Sequence, residues 1–102
     1  MRNNFKTYQL AVEFYHLVTE LRLPAHLKDQ LLRSSASIVL NLAEGSGRTS
    51  PGDQLRFFHT AMGSCRETQA GLDLCPAAAS AAAGTAEPVG GHLYRLIQSF
   101  HR

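Results

Sequence analysis

Ser50-Pro51-Gly-Asp53-Gln-Leu55-Arg-Phe-Phe58-His-Thr-Ala-Met62-Gly-Ser-Cys65-Arg-Glu-Thr-Gln69-Ala-Gly-Leu72 is punctuated as a helix at both ends. Ser50 stands where an N-cap hydroxyl belongs, Pro51 at the first helical position and Asp53 at the third. From Leu55 the sequence runs through Phe58, Met62, Cys65, Gln69 and Leu72 in alternating steps of three and four. That is a coiled-coil-like seam whose only strongly polar member is Gln69. Pro76 ends it. A helix over about 51–75 therefore carries one apolar face and must find other helices to cover it.

Upstream, residues 26–44 align Leu27, Leu31, Ile38 and Leu42 along one stripe, with Ser35 in the gap and Gly45 placed as a C-cap glycine. Residues 5–23 place Tyr8, Ala11, Tyr15 and Val18 on a helical face, flanked by Phe14 and Leu21, before Pro24. Downstream, Val89, Leu93, Leu96, Ile97 and Phe100 suggest a short last helix over 89–100. Between them, residues 76–88 are Ala-rich and interrupted by Gly84 and Pro88; they read either as a weakly packed helix or as a linker. The expectation is one all-α domain spanning residues 1–102. It is an antiparallel up-and-down four-helix bundle with a short or irregular fourth helix.

Composition agrees. The chain has 102 residues, and Leu and Ala supply 27 of its 45 hydrophobic residues against six for Val and Ile. This favours helix and argues against a sheet protein. No apolar run approaches the ~20 residues that cross a bilayer. The N-terminus moves straight into an amphipathic segment without a signal-peptide core, so a cytoplasmic setting is expected. Cys65 and Cys75 read as reduced thiols. The net charge of +2 permits nucleic-acid contact without demanding it.

Few constellations carry chemistry. Ser37, Asn41 and Glu44 share a helical face, with Ser34 a turn earlier, and Gly63, Ser64 and Glu67 are a possible counterpart on the next helix. They make either a hydrogen-bonded layer that fixes register or a ligand or partner site. Gly63, in mid-helix, suggests close backbone approach. Glu13-Phe-Tyr-His16 has the Glu-x-x-His spacing of di-iron bundles, but the second copy that such a site needs is missing. Gly45-Ser-Gly-Arg-Thr-Ser lacks the Lys of a phosphate loop and follows a helix rather than a strand. No residue set specifies an enzyme, a metal or a cofactor. Lys28, Arg33, Arg48, Arg56, Arg66 and Arg95 are the candidate nucleic-acid contacts, with Arg48 and Arg56 close enough across the turn to be neighbours. Tyr8, Tyr15 and Phe57 read as core rather than as stacking aromatics.

The run from Gln30 to Arg48, with its Asn41-x-Ala-Glu44-Gly45 core, resembles the signature of bacterial four-helix-bundle proteins encoded in intervening sequences of large-subunit ribosomal RNA genes. Phe57-Phe58-His-Thr-Ala61-Met-Gly63-Ser64-Cys-Arg-Glu67 resembles that family's second motif. Tyr8 stands where members usually carry a tryptophan, and the match covers roughly residues 5–75, with the tail from Leu93 similar to the end of the fourth helix. The resemblance implies a ring-like homo-oligomer, a pentamer, without an established reaction. It also implies likeness to the accessory protein of diversity-generating retroelements, which binds nucleic acid and a reverse transcriptase. Carried over, the family's signature falls on Ser37, Asn41, Glu44, Gly45, Arg48, Gly63, Ser64 and Glu67, read first as structural determinants. The stretch from Pro76 to Gly91 departs from the family, where a longer turn of mixed composition leads into helix four. These readings leave two expected roles: an oligomeric accessory protein binding RNA or DNA electrostatically, or a scaffold that docks another protein.

Overall fold

The computed structural model describes residues 5–76 and 80–101, with the side chains of residues 80–83 and 85 outside that description. Four α-helices follow one another: α1 (Phe5–Glu20), α2 (Ala25–Ser46), α3 (Pro51–Asp73) and α4 (Ser80–Gln98), closed by a 3₁₀ turn at Ser99–His101. No strand occurs among the described residues. Each helix packs mainly on two neighbours, in the cyclic order α1, α2, α3, α4, and α2 with α3 forms the most extensive pair. The molecule measures 41 × 19 × 18 Å, the proportions of a helical bundle seen side-on. No helix is long and apolar enough to cross a membrane, among the described residues.

The helix ends follow local chemistry. Ser50 Oγ accepts the Asp53 N–H at 3.1 Å, and Pro51 begins α3, as the sequence leads one to expect. α2 has no side-chain cap behind Pro24. The α1–α2 corner is tied instead by Lys28, whose ammonium donates to the Thr19 carbonyl at 2.8 Å and to the Leu21 carbonyl. A cation thereby satisfies carbonyls that the end of α1 leaves open.

The core holds Phe14 and Val18 of α1, Leu31, Ile38 and Leu42 of α2, Phe58, Ala61, Cys65 and Leu72 of α3, and Ala86, Val89, Leu93, Leu96 and Ile97 of α4. Two expectations need adjustment. On α1 the buried stripe is Thr7, Ala11, Phe14 and Val18, whereas Tyr8 is 38% exposed and Tyr15 half-buried. The stripe is rotated because Thr7 buries fully while the two tyrosines lie at its edge. The fourth helix begins at Ser80 rather than near residue 89, and it runs through Pro88. An interior proline costs about 3 kcal/mol. The continuous buried stripe Ala86–Val89–Leu93–Leu96–Ile97 supplies the opposing burial. Residues 77–79 of the Ala-rich stretch lie outside the described residues.

Gly45 is not the α2 C-cap. The helix continues to Ser46, and Gly47 caps it in the right-handed conformation. Gly45 is buried where Phe58 passes, and a Cβ there would lie 2.6 Å from Phe58 Cε1. Gly71 plays the same part against Leu31, 2.7 Å from Leu31 Cδ2 by the same measure. At Gly45 a side chain meets a rigid ring and the Phe57 Cβ and has no room, whereas at Gly71 the tip of Leu31 would have to shift.

Candidate nucleic-acid interface

The polar residues of α2 and α3 meet along their shared edge. Gln30 donates to the Glu67 carboxylate. The Thr68 hydroxyl stands 2.7 Å from the Ser34 hydroxyl and 2.7 Å from the Ser64 carbonyl. The Ser37 and Ser64 hydroxyls are 2.8 Å apart, and Asn41 Nδ2 donates to the Ser37 carbonyl at 2.9 Å and to its hydroxyl at 3.1 Å. From Ser34–Thr68 to Ser37–Ser64 residue numbers rise on α2 as they fall on α3, so the two helices run antiparallel. A one-turn slip would separate these pairs and leave the buried Ser34 and Thr68 hydroxyls without each other. Gly63 takes no part in close packing: a Cβ there would meet nothing within 4 Å, and the residue is exposed. The close-approach glycines are Gly45 and Gly71 instead.

Glu44 leaves this ladder and pairs with Arg48 at 2.8 Å, at the corner where α2 turns into α3. Arg56, from the second turn of α3, pairs with Asp53 at 3.4 Å. Both guanidinium groups lie over the Phe57 ring, with Arg48 Cζ 4.8 Å and Arg56 Cζ 4.5 Å from its centroid. The turn of residues 47–50 is short enough to bring the end of one helix beside the start of the next, which places Arg48 and Arg56 on one aromatic support. Each cation–π contact contributes about 0.5–1 kcal/mol at an exposed site. The exposed ion pairs contribute little more than geometry. Together they hold two planar, always-charged forks in fixed positions with much of their surface open, a form suited to phosphate oxygens. Phe57, expected in the core, is half-buried and serves as the platform.

The remaining candidate cations are dispersed. Lys28 is engaged in capping α1 and is not a free surface charge. Arg33 pairs with Asp29 at 3.4 Å and donates to Gln30. Arg66 is exposed and makes no ion pair among the described residues. Arg95 is exposed in the last turn of α4. Residue-type reasoning passed over His59, which is exposed on α3 one turn from Arg56 and Gly63. Its spacing of three from Arg56 was the signal.

Glu13 and His16 are both exposed, and the described residues contain no group of three or more His, Cys, Asp or Glu placed to hold a metal ion. Both cysteines are free thiols. Burial pushes the Cys65 thiol up from its ordinary pKa, partly offset by the positive charge of Arg66. Desolvation also raises Cys75, whose Sγ contacts the Gly71 carbonyl at 3.3 Å.

A separate surface is apolar. On α1, Phe5, Tyr8, Val12 and Tyr15 repeat in steps of three and four outside the core stripe. On α2, Ala36, Val39 and Leu40 lie beside them. Phe5 is 68% and Leu40 65% exposed. Val12, Tyr15, Ala36, Val39 and Leu40 line a shallow groove of about 190 Å³. It adjoins at Val12 a second depression lined by Phe5, Tyr8, Gln9 and Glu13.

The sequence model of the 23S rRNA-intervening sequence protein family matches residues 3–97. The chain belongs to this family. Its match reaches past the signature helices through the Ala-rich stretch and nearly to the end of α4, so the family's four-helix pattern covers the fourth helix here as well. No curated protein and no solved structure matches the chain.

Proposed function

We propose that this protein of the 23S rRNA-intervening sequence family is a non-enzymatic, oligomeric accessory protein of the cytoplasm that binds RNA or DNA through phosphate contacts. The observation that carries the reading is the pair of guanidinium groups, Arg48 and Arg56, held over Phe57 at the α2–α3 corner. Phosphate contacts give affinity without sequence information. One protomer with a net charge of +2 offers few of them. Linked copies raise the effective concentration of each additional contact, so assembly and binding support each other. The apolar α1–α2 face is the proposed contact between protomers, since exposed patches of this kind mark interaction surfaces. The family resemblance suggests a pentameric ring.

The experiment is a salt titration of binding to a structured RNA and to duplex DNA, alongside the solution mass. Binding that weakens steeply with salt supports the reading, and a charge-reversed Arg48→Glu/Arg56→Glu protein that keeps its mass should lose it. Failure of the intact oligomer to bind either nucleic acid at low salt overturns it. The same apolar face also favours a second reading, a scaffold that docks another protein and touches no nucleic acid. In that case the charge-reversed protein still captures its partner.

A further inference from the structure

Packing within the chain leaves one more stripe of α3 unexplained. Gly52, Arg56, His59, Gly63, Arg66 and Ala70 follow in steps of four, three, four, three and four, so they share one helical face, and all six are exposed. The stripe contains no carboxylate of its own. Asp53 reaches Arg56 from the flank, and Glu67 is turned toward Gln30 on α2. Its positions other than Arg56, His59 and Arg66 are glycine or alanine. A Cβ at Gly52 or Gly63 would meet nothing within 4 Å, unlike those at Gly45 and Gly71. An interior glycine weakens a helix, and no neighbour in this chain requires one at position 63. The stripe carries no Phe, Tyr or Trp, its one ring being the His59 imidazole, and the adjacent Phe57 is covered by two guanidinium groups.

We propose that a nucleic-acid duplex lies along this stripe, gripped by its phosphate backbone, with the α3 main chain brought close to it at Gly63. The proposal rests on the nucleic-acid reading above and names the substrate class. Arg56 and Arg66 are separated by about 15 Å of helix. Laid along a duplex axis, that distance covers about four nucleotide steps of one strand at ~3.4 Å of rise each. Planar guanidinium forks suit phosphate oxygens, and small residues between them keep the helix surface low enough for a broad cylinder to approach. Single-strand binders rely on several exposed aromatic rings on which successive bases stack, and this stripe offers only the His59 imidazole. The shared chemistry is the duplex backbone, whether RNA or DNA, so the test carries both.

The test is the affinity of the full-length protein, across a salt series, for an RNA duplex, a DNA duplex of the same sequence and each separated strand. At least one duplex is expected to bind about tenfold or more tighter than its strands. Arg66→Gln should weaken duplex binding about tenfold and reduce the salt slope by about one per bound protomer. Gly63→Gln adds bulk without charge; it should weaken duplex binding similarly while the melting temperature does not fall and the solution mass is unchanged. Equal binding of single strands overturns the duplex assignment and leaves the nucleic-acid reading standing. Duplex affinity unchanged in both variants removes the duplex from α3. A smaller assembly for Gly63→Gln shows that the stripe faces another copy, which also overturns the proposal. Absence of any binding at low salt defeats the parent reading instead.

Discussion

The outer face of the α1–α2 pair and the outer face of α3 are built on the same spacing and opposite chemistry. On α1, Phe5, Tyr8, Val12 and Tyr15 repeat in steps of three and four with large apolar side chains. On α3, Gly52, Arg56, His59, Gly63, Arg66 and Ala70 repeat in the same steps with glycine, alanine, one histidine and two arginines. Neither stripe belongs to the core, which uses Thr7–Ala11–Phe14–Val18 on α1 and Phe58–Ala61–Cys65–Thr68–Leu72 on α3. Both helices are therefore patterned on two sides. The inner pattern builds the bundle, and the outer patterns differ because water tolerates one of them far better than the other. An exposed Phe5 and Leu40 want cover, whereas an exposed Arg66 does not.

The largest effect should come from charging the apolar face. In the proposed assembly Val12 and Leu40 are buried against another protomer, so a Val12→Glu/Leu40→Glu protein must desolvate two carboxylates to associate. The cost is about 4 kcal/mol or more for the pair, roughly a thousandfold in association. Light scattering should then report the 11.2 kDa monomer, with helical circular dichroism retained. A wild-type protein that is already monomeric would remove the contrast between the two faces altogether.

Next in size is the contrast between glycines. Gly45→Val puts a branched side chain where even a Cβ lies 2.6 Å from the Phe58 ring, and the Phe57 Cβ is 3.1 Å away. Phe58 is itself fully packed and touches Phe100 edge-on at a centroid distance of 5.7 Å, so it has little freedom to withdraw. Overpacking of this kind costs about 1–3 kcal/mol, read as a lower midpoint in urea unfolding. Gly45→Val without loss of stability would mean that α2 and α3 sit farther apart than described.

How much of this was legible in the sequence depends on what each residue's role requires one to know. The start of α3 was legible because Ser50, Pro51 and Asp53 act on their own backbone, within one turn. The adjacency of Arg48 and Arg56 was legible for a related reason: a short turn between helices leaves little choice. The front of α4 was not, because alanine and glycine give no hydrophobic period; among the described side chains Ala86, seen against Val89 and Leu93, extends the stripe. The rotated face of α1 was obscured by residues of mixed character, since tyrosine counts as apolar in a pattern yet tolerates an edge. The glycines were least legible. Gly45 and Gly63 look alike in sequence, and what separates them is Phe58, a residue on another helix.

A smaller effect probes the ladder between the α2–α3 edge residues. Ser37→Ala and Ser64→Ala each remove one of two hydroxyls 2.8 Å apart in a half-buried setting, where a hydrogen bond contributes about 1 kcal/mol net. Each single variant should lose about that much. The double variant should lose less than the sum, because the second change no longer leaves a hydroxyl unpaired. Additive losses would mean that the two hydroxyls are solvated independently, and the ladder would then not fix the register of α2 on α3. Asn41 sharpens the measurement: its amide also donates to Ser37, so Asn41→Ala should couple to Ser37→Ala and not to a change at Arg33.

The smallest expected effect has the opposite sign. Gly63→Ala places a methyl in open space on a continuous helix, where the intrinsic preference for alanine over glycine is about 0.5–1 kcal/mol. The isolated protein should therefore be stabilised, with a higher urea midpoint and an unchanged slope. Gly45→Val and Gly63→Ala thus move stability in opposite directions within one family motif pair, and the difference is set by what faces each glycine. A stabilising result also means that the chain's own packing does not require a glycine at position 63. Under the duplex proposal the requirement for a small residue comes from the closeness of a phosphate backbone. Gly63→Ala should then leave duplex affinity nearly intact, since a methyl is small, while Gly63→Gln does not. Destabilisation by Gly63→Ala would instead place an unrecognised neighbour over α3 and return Gly63 to the role of a helix-packing residue.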